Sequence, residues 1–145
     1  MNIAFLAHDK KKELMVQFCI AYCGILAKHR LCATATTGKL IMDATGLRID
    51  LVLPGSSGGE QQIASRVAYN EVDLVLMFRD PDEKYALEPE INELLRNCDR
   101  NSIPVATNVA TAEVLIQGLI RGDFAWREIV NPVSEYNRRK KSRLQ

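Results

Sequence analysis

LVLPGSSGGEQQ, residues Leu51 to Gln62, passes from a short apolar run through a turn rich in glycine and serine into a segment that reads as a helix. Gly58 and Gly59 let the backbone approach a ligand closely. A helix start offers unpaired N–H groups to an anion. A carboxylate at Glu60 is no partner for that anion, so the stretch suits a base held beside a bound phosphate. Strand, glycine turn and helix in that order are also the repeating unit of parallel α/β sheets.

The same alternation recurs along the chain. Apolar runs at Ile3–Ala7, Leu31–Ala35, Leu51–Leu53, Leu74–Phe78 and Val105–Ala106 are separated by segments of helical length. Runs that are apolar throughout argue for strands covered on both faces. Leu14, Phe18, Ala21 and Ile25 mark one side of a helix over 11–28. A short helix is expected over 39–44 with Gly46 closing it, and another over 61–69. Pro89 beside Glu90 starts one that runs to residue 100, and the last covers 111–119 with Gly122 just beyond. The pattern predicts an α/β fold: one doubly wound, mostly parallel five-stranded sheet with helices on both faces. The domain is expected over 1–131, followed by a basic tail over 132–145.

A chain of 145 residues can bury one sizeable core. Its 47% hydrophobic and 26% charged residues are those of an ordinary globular protein. A formal net charge of +1 provides no overall field for nucleic acid or a membrane surface. The basic run Arg138-Arg139-Lys140-Lys141-Ser142-Arg143 reads as a solvated terminus. No apolar run approaches the ~20 residues of a membrane span. The N-terminus reads as a first strand and not as a signal peptide, so the cytoplasm is the expected compartment. Cys19, Cys23, Cys32 and Cys98 lack paired metal-ligand spacing; they are expected to be buried, reduced thiols, with no metal site.

Ligands of doubly wound sheets bind beyond the carboxyl ends of the strands. His8-Asp9 follows the first run, Thr36-Thr37-Gly38 the second, Pro54 to Glu60 the third, Arg79-Asp80-Pro81 the fourth and Thr107-Asn108 the fifth. The hydroxyls of Thr34, Thr36 and Thr37, with Lys12 in the first helical turn, suit a phosphate. A helix-capping cluster beside a solvated lysine is the competing reading. Asp9, Glu60, Asp80 and Glu90 bring four carboxylates to one end of the sheet, and like charges crowded there suit general acid–base chemistry. Asp9 and Asp80 read equally as caps or loop-bracing acceptors. Of the two histidines, His8 lies at a strand end, where a structural donor is the commoner role, and His29 closes a predicted helix.

Five motifs now stand in order: Ala7-His8-Asp9 with Lys12; Thr34-x-Thr36-Thr37-Gly38; Gly58-Gly59-x-Gln61-Gln62; Arg79-Asp80-Pro81; and Ile103-Pro104-Val105-Ala106-Thr107-Asn108 followed by Ala110-Thr111-Ala112. With them the chain resembles the methylglyoxal synthase family over all but its C-terminal end. The resemblance implies a cytoplasmic homohexamer that converts dihydroxyacetone phosphate to methylglyoxal and phosphate through an enediolate, without a metal or organic cofactor. It implies that Lys12, Thr34, Thr36 and Thr37 hold the phosphate, helped by the loop containing Gly55, with Ser56 and Gly59 beside it. It places the base at Glu60, supporting acids at Asp9, Asp80 and Glu90, and a site histidine at His8.

The chain departs from the family pattern at sensitive positions. The family's aspartate base is Glu60, one methylene longer. Ala35 replaces a glycine of the threonine motif, and Pro54-Gly55-Ser56 replaces Ser-Gly-Pro. The family's catalytic histidine, which helps polarise the carbonyl, is Leu87 here, and leucine donates no hydrogen bond to an oxyanion, a loss worth on the order of 10²–10³ in rate. The leading reading is therefore a lyase of the methylglyoxal synthase type with reduced activity. The alternative is a non-catalytic phosphate or sugar-phosphate receptor of the same fold; an inactive subunit that assembles with an active relative is a third.

Overall fold

Leu74–Phe78 is apolar and buried at every position, as a strand covered on both faces must be. It is β4 of a single parallel sheet in the order β3-β2-β1-β4-β5, the others being β1 (Asn2–Ala7), β2 (Arg30–Thr34), β3 (Asp50–Val52) and β5 (Val105–Ala106). The computed structural model describes residues 1–83 and 88–130. Leu87 and the expected basic tail lie outside the described residues.

Side chains alternate across the sheet. Ile3 and Phe5 of β1 and Leu74, Leu76 and Phe78 of β4 pack with α1 (Lys12–Ala21), α3 (Ala35–Thr45) and α6 (Val109–Arg121). Ala4, Leu6, Val75 and Met77 face the opposite way, onto α4 (Gly59–Ala68) and α5 (Glu88–Arg100). The sheet is thus doubly wound. Its strand order reverses between β1 and β4, whose register runs from Ile3 against Leu74 to Ala7 against Phe78.

Three helices differ from the sequence reading. The first breaks at Tyr22 (φ −110°, ψ 21°) and resumes as α2 (Cys23–Leu26). The Tyr22 hydroxyl donates to the Glu113 carboxylate on α6, a tertiary contact that periodicity does not register. The second starts at Ala35 rather than residue 39, directly after Thr34, so Ala35 belongs to helix and not to strand. Gly38 hid it, because glycine in a helix interior weakens the local signal. Its reason is packing: a Cβ there would stand 2.2 Å from Leu51 Cδ2. The third, α7 (Trp126–Val130), was not expected at all.

α7 exists to deliver one side chain. Arg127 is fully buried beneath the amino ends of β4 and β5. It donates to Asp73 Oδ1 (3.3 Å), Asn70 Oδ1 (2.8 Å), and the carbonyls of Val72 (3.3 Å), Asn101 (3.2 Å) and Ser102 (2.7 Å). Asn70 and Ser102 follow α4 and α5 in the left-handed region (φ 56° and 53°), which turns their oxygens toward the guanidinium. Asp73 Oδ2 in turn accepts from the Asn2 backbone N–H (2.8 Å), joining the network to β1. A buried charge survives only when paired and hydrogen-bonded in this way.

His29 lies in the turn between α2 and β2, where the Met1 amino group is 3.0 Å from its Nδ1. Burial first, then the N-terminal ammonium and Lys28, push its pKa down from 6.5 to about 4, with Asp73 opposing. The ring is therefore neutral in the fold. Burial also raises the thiols of Cys19 and Cys98 to about 12, and that of Cys32 above its usual value.

Replacing Arg127 by Met leaves Asp73 buried without its cation, and urea denaturation is expected to show a loss of about 3–5 kcal/mol. A loss within experimental error would mean that the network contributes nothing. The second prediction concerns pH. The unfolded chain protonates His29 at about pH 6.5 and the fold does so only near 4. Its stabilisation is complete above 6.5 and falls away as pH drops toward 4. Thermal midpoints of His29→Gln, measured across that window, are expected to decline less steeply than those of the wild type.

Candidate active site

β1 ends at Ala7, and the chain turns at once into a 3-10 turn, Asp9–Lys11, that leads into α1. Lys12 therefore folds back over the strand end. Its ammonium donates to the Ala7 carbonyl (2.7 Å) and pairs with Asp9 Oδ1 (3.0 Å). The Lys12 side chain is 17% exposed while that of Asp9 is 80% exposed. The lysine is thus not the solvated residue of the capping alternative. Asp9 stands at the rim, holding the ammonium in place.

The threonine motif also departs from that alternative. Thr34 occupies the N-cap position of α3 but makes no side-chain cap, unlike Asn108, whose Oδ1 caps α6 by accepting from the Thr111 N–H (3.0 Å). Thr34 and Thr37 are buried and Thr36 is exposed. The Thr37 hydroxyl is fully enclosed with no hydrogen-bond partner among the described residues. A buried hydroxyl left unpaired costs about 1–3 kcal/mol. The hydroxyl lies at the first turn of an eleven-residue helix, with a lysine ammonium on the adjoining strand end, a setting whose charge suits an anion.

β3 leads through a 3-10 turn, Gly55–Ser57, into α4. Gly58 adopts φ 99°, a left-handed conformation suited to glycine. Gly59 is required for a different reason than the sequence suggested. A Cβ there would lie 1.8 Å from the Leu53 carbonyl oxygen, so its bare backbone fits against the chain itself rather than against a ligand. Glu60, in the first turn of α4, curls back over Gly55: its Oε1 lies 3.4 Å from where a Gly55 Cβ would be. The longer arm is thereby folded, and its Oε2 is shielded from solvent. Ser56 is exposed on the same turn.

At the reversal point itself, between the ends of β1 and β4, His8 is 3% exposed. Its backbone N–H donates to the Phe78 carbonyl (3.1 Å), and its Nδ1 accepts from the Asp80 backbone N–H (2.8 Å). A backbone N–H can only donate, so Nδ1 carries no proton. The neutral ring must hold its proton on Nε2, which is shielded from bulk solvent. Asp80 is buried, and its Oδ1 braces the loop by accepting from the Asp82 N–H (3.1 Å). Glu90 enters from α5, with Gln61 Nε2 3.4 Å from its Oε1.

The structure thus sets Lys12, the threonines, Gly55, Glu60, His8 and Asp80 on loops, strand ends and first helical turns at one end of the sheet, with Ser56 and Glu90 at the margins. Two residues escaped the sequence reading. Glu83, just beyond Asp80, buries its Oε2 without a partner among the described residues, as does Glu90. Gln62 accepts from the Leu53 N–H (2.7 Å). For Gln62 its place in the glycine-glutamine motif was a signal; for Glu83 only another acid in a charged loop was visible. Among the described residues no group of three or more His, Cys, Asp or Glu side chains is disposed to hold a metal ion. No described helix is long and apolar enough to cross a membrane.

Known proteins resemble this chain in sequence and fold. Residues 15–107 match the sequence model of the MGS-like domain. The methylglyoxal synthase of Caldicellulosiruptor saccharolyticus is 60% identical over 138 residues, covering 95% of this chain and 98% of that protein. The methylglyoxal synthase of Thermoanaerobacter pseudethanolicus is 54% identical over 129 residues, 89% of this chain and 98% of its own length. The crystal structure of methylglyoxal synthase from Elizabethkingia anophelis NUHP1 superposes with a TM-score of 0.73 at 38% identity, over 79% of this chain and 75% of that one. With such identity spread over nearly its whole length, the chain belongs to the methylglyoxal synthase family.

Proposed function

We propose that this protein is a methylglyoxal synthase that uses a glutamate base and a single histidine. Lys12, Thr34, Thr36 and Thr37 hold the phosphate of dihydroxyacetone phosphate, with Gly55, Ser56 and Gly59 forming the adjoining loop. Glu60 removes a proton from the hydroxyl-bearing carbon next to the carbonyl. The electron pair moves to the carbonyl oxygen and gives an enediolate. The former carbonyl oxygen then takes up a proton and the hydroxyl on the deprotonated carbon loses one. A pair from that second oxygen forms the aldehyde, the carbon–carbon double bond shifts to the other carbon, its bond to the phosphate oxygen breaks, and phosphate leaves. The enol released gains a proton at its terminal carbon to become methylglyoxal. Asp9 steadies Lys12, Asp80 orients His8, and Glu90 stands by as a further acid.

The observation that carries this reading is the hydrogen bond from the Asp80 N–H to His8 Nδ1. It leaves an Nε2 donor suited to the charge that grows on the substrate oxygen. A neutral imidazole donor of this kind is an established partner for a carboxylate base in triose phosphate chemistry. It supplies the function that Leu87 cannot.

The buried Thr37 hydroxyl, unpaired among the described residues, and the low exposure of Lys12 support the phosphate subsite. The proposed setting is the cytoplasm, in a homohexamer. Val114, Ile120, Trp126 and Ile129 expose large apolar surface on α6 and α7, which suits an assembled chain.

Purified protein is expected to form methylglyoxal from dihydroxyacetone phosphate. Glu60→Gln is expected to abolish turnover and leave phosphate binding intact, while Glu60→Asp raises the rate if arm length limits it. Undiminished turnover in Glu60→Gln would remove the base; no turnover in the wild type, with saturable phosphate binding, would establish the receptor reading instead. Sedimentation equilibrium is expected to give the mass of six chains, and a monomer at micromolar concentration would exclude the hexamer.

A further inference from the structure

Leu53 lies one residue beyond β3, at the edge of the sheet, where its backbone has no strand neighbour on the outer side. Its two peptide groups are nevertheless engaged. Its N–H donates to Gln62 Oε1 at 2.7 Å. Its carbonyl accepts from the Ala35 N–H, a long contact of 3.5 Å, and lies against Gly59, where any Cβ would collide with it. Ala35 is the first residue of α3, between Thr34 and Thr36; Gln62 lies two residues after Glu60 on α4. Leu53 is therefore the junction of two loops, one with the phosphate-binding threonines and one with the glutamate.

Gln62 closes this junction from the α4 side. The loop it closes contains Gly55, on which the Glu60 side chain rests, with Glu60 Oε1, Cδ and Cγ 3.4, 3.8 and 3.8 Å from the position of a Gly55 Cβ. The Gly59 N–H donates to the Pro54 carbonyl (3.0 Å), so the loop is tight. If its base opens, Gly55 moves, and the surface that folds the longer glutamate arm moves with it. A glutamate has one more rotatable bond than an aspartate and depends more on such a surface for its placement.

We propose that Gln62 is a positioning residue that fixes the reach of Glu60 through the Leu53 junction. The inference rests on Glu60 as the base of the proposed reaction. It assigns Gln62 no contact with substrate.

Gln62→Met keeps the length of the side chain and removes the acceptor; Gln62→Glu restores an acceptor oxygen. In Gln62→Met the Leu53 amide is expected to exchange with deuterium faster, and kcat to fall about 10–100-fold, as misplacement by ~1 Å does. KM and the phosphate dissociation constant are expected to stay within about threefold, since phosphate binding is not what the clamp controls. Gln62→Glu is expected to recover both Leu53 protection and most of kcat. Faster exchange at Leu53 with unchanged kcat would overturn the proposal. So would a fall in kcat matched by an equal loss of phosphate affinity, or by loss of folded protein on thermal melting. If the wild type forms no methylglyoxal, the functional reading fails separately. The positioning claim then stands or falls on the ¹³C titration of the Glu60 carboxylate, assigned by its absence in Glu60→Gln: a curve moved by Gln62→Met supports it and an unmoved curve overturns it.

Discussion

All five strands point the same way, and that constraint governs the rest of the molecule. A parallel strand cannot be joined to its neighbour by a tight turn; the chain must return through a crossover. Every strand therefore delivers its carboxyl end to one side of the sheet and its amino end to the other. The two sides have diverged in chemistry. The carboxyl side carries hydroxyls, an ammonium, carboxylates and an imidazole, some of them buried without a partner among the described residues. The amino side carries Arg127 and Asp73, in a network where each charge is met.

The two sides were not equally legible. Apolar runs such as Leu74–Phe78 announce a strand covered on both faces, and the rule for doubly wound sheets then collects His8, Thr34, Glu60 and Asp80 without any coordinates. The motifs carry no comparable record of geometry. That Glu60 folds over Gly55, that Gly59 faces the Leu53 carbonyl and that His8 Nδ1 accepts from Asp80 are facts of tertiary contact. Arg127 read as one charged residue among many near the C-terminus. Its burial depends on two left-handed turns, at Asn70 and Ser102, neither marked by a glycine. The break at Tyr22 was invisible because α2 continues the apolar spacing of α1.

The departures from the family pattern look different once placed. In the proposed reaction a longer base is not by itself a fault if the arm is folded, and Gly55 provides the surface that folds it. In that same proposal, loss of the family's catalytic histidine shifts the work of polarising the carbonyl onto His8, whose Nδ1 accepts from a backbone N–H rather than from a mobile side chain. Both adjustments use main-chain geometry, which is fixed by the sheet itself.

Arg127 also bears on the order in which the molecule assembles. Its partners lie 25 to 57 residues earlier in the chain. Those partners come from the ends of α4 and α5 and the approaches to β4 and β5, and only the paired strands hold them in one place, so the guanidinium docks onto a sheet already formed. Interactions made after the folding barrier act on the rate of opening and not on the rate of closing. The last described helix is thus a latch: it leaves the speed of folding to the sheet and sets how long the folded state persists.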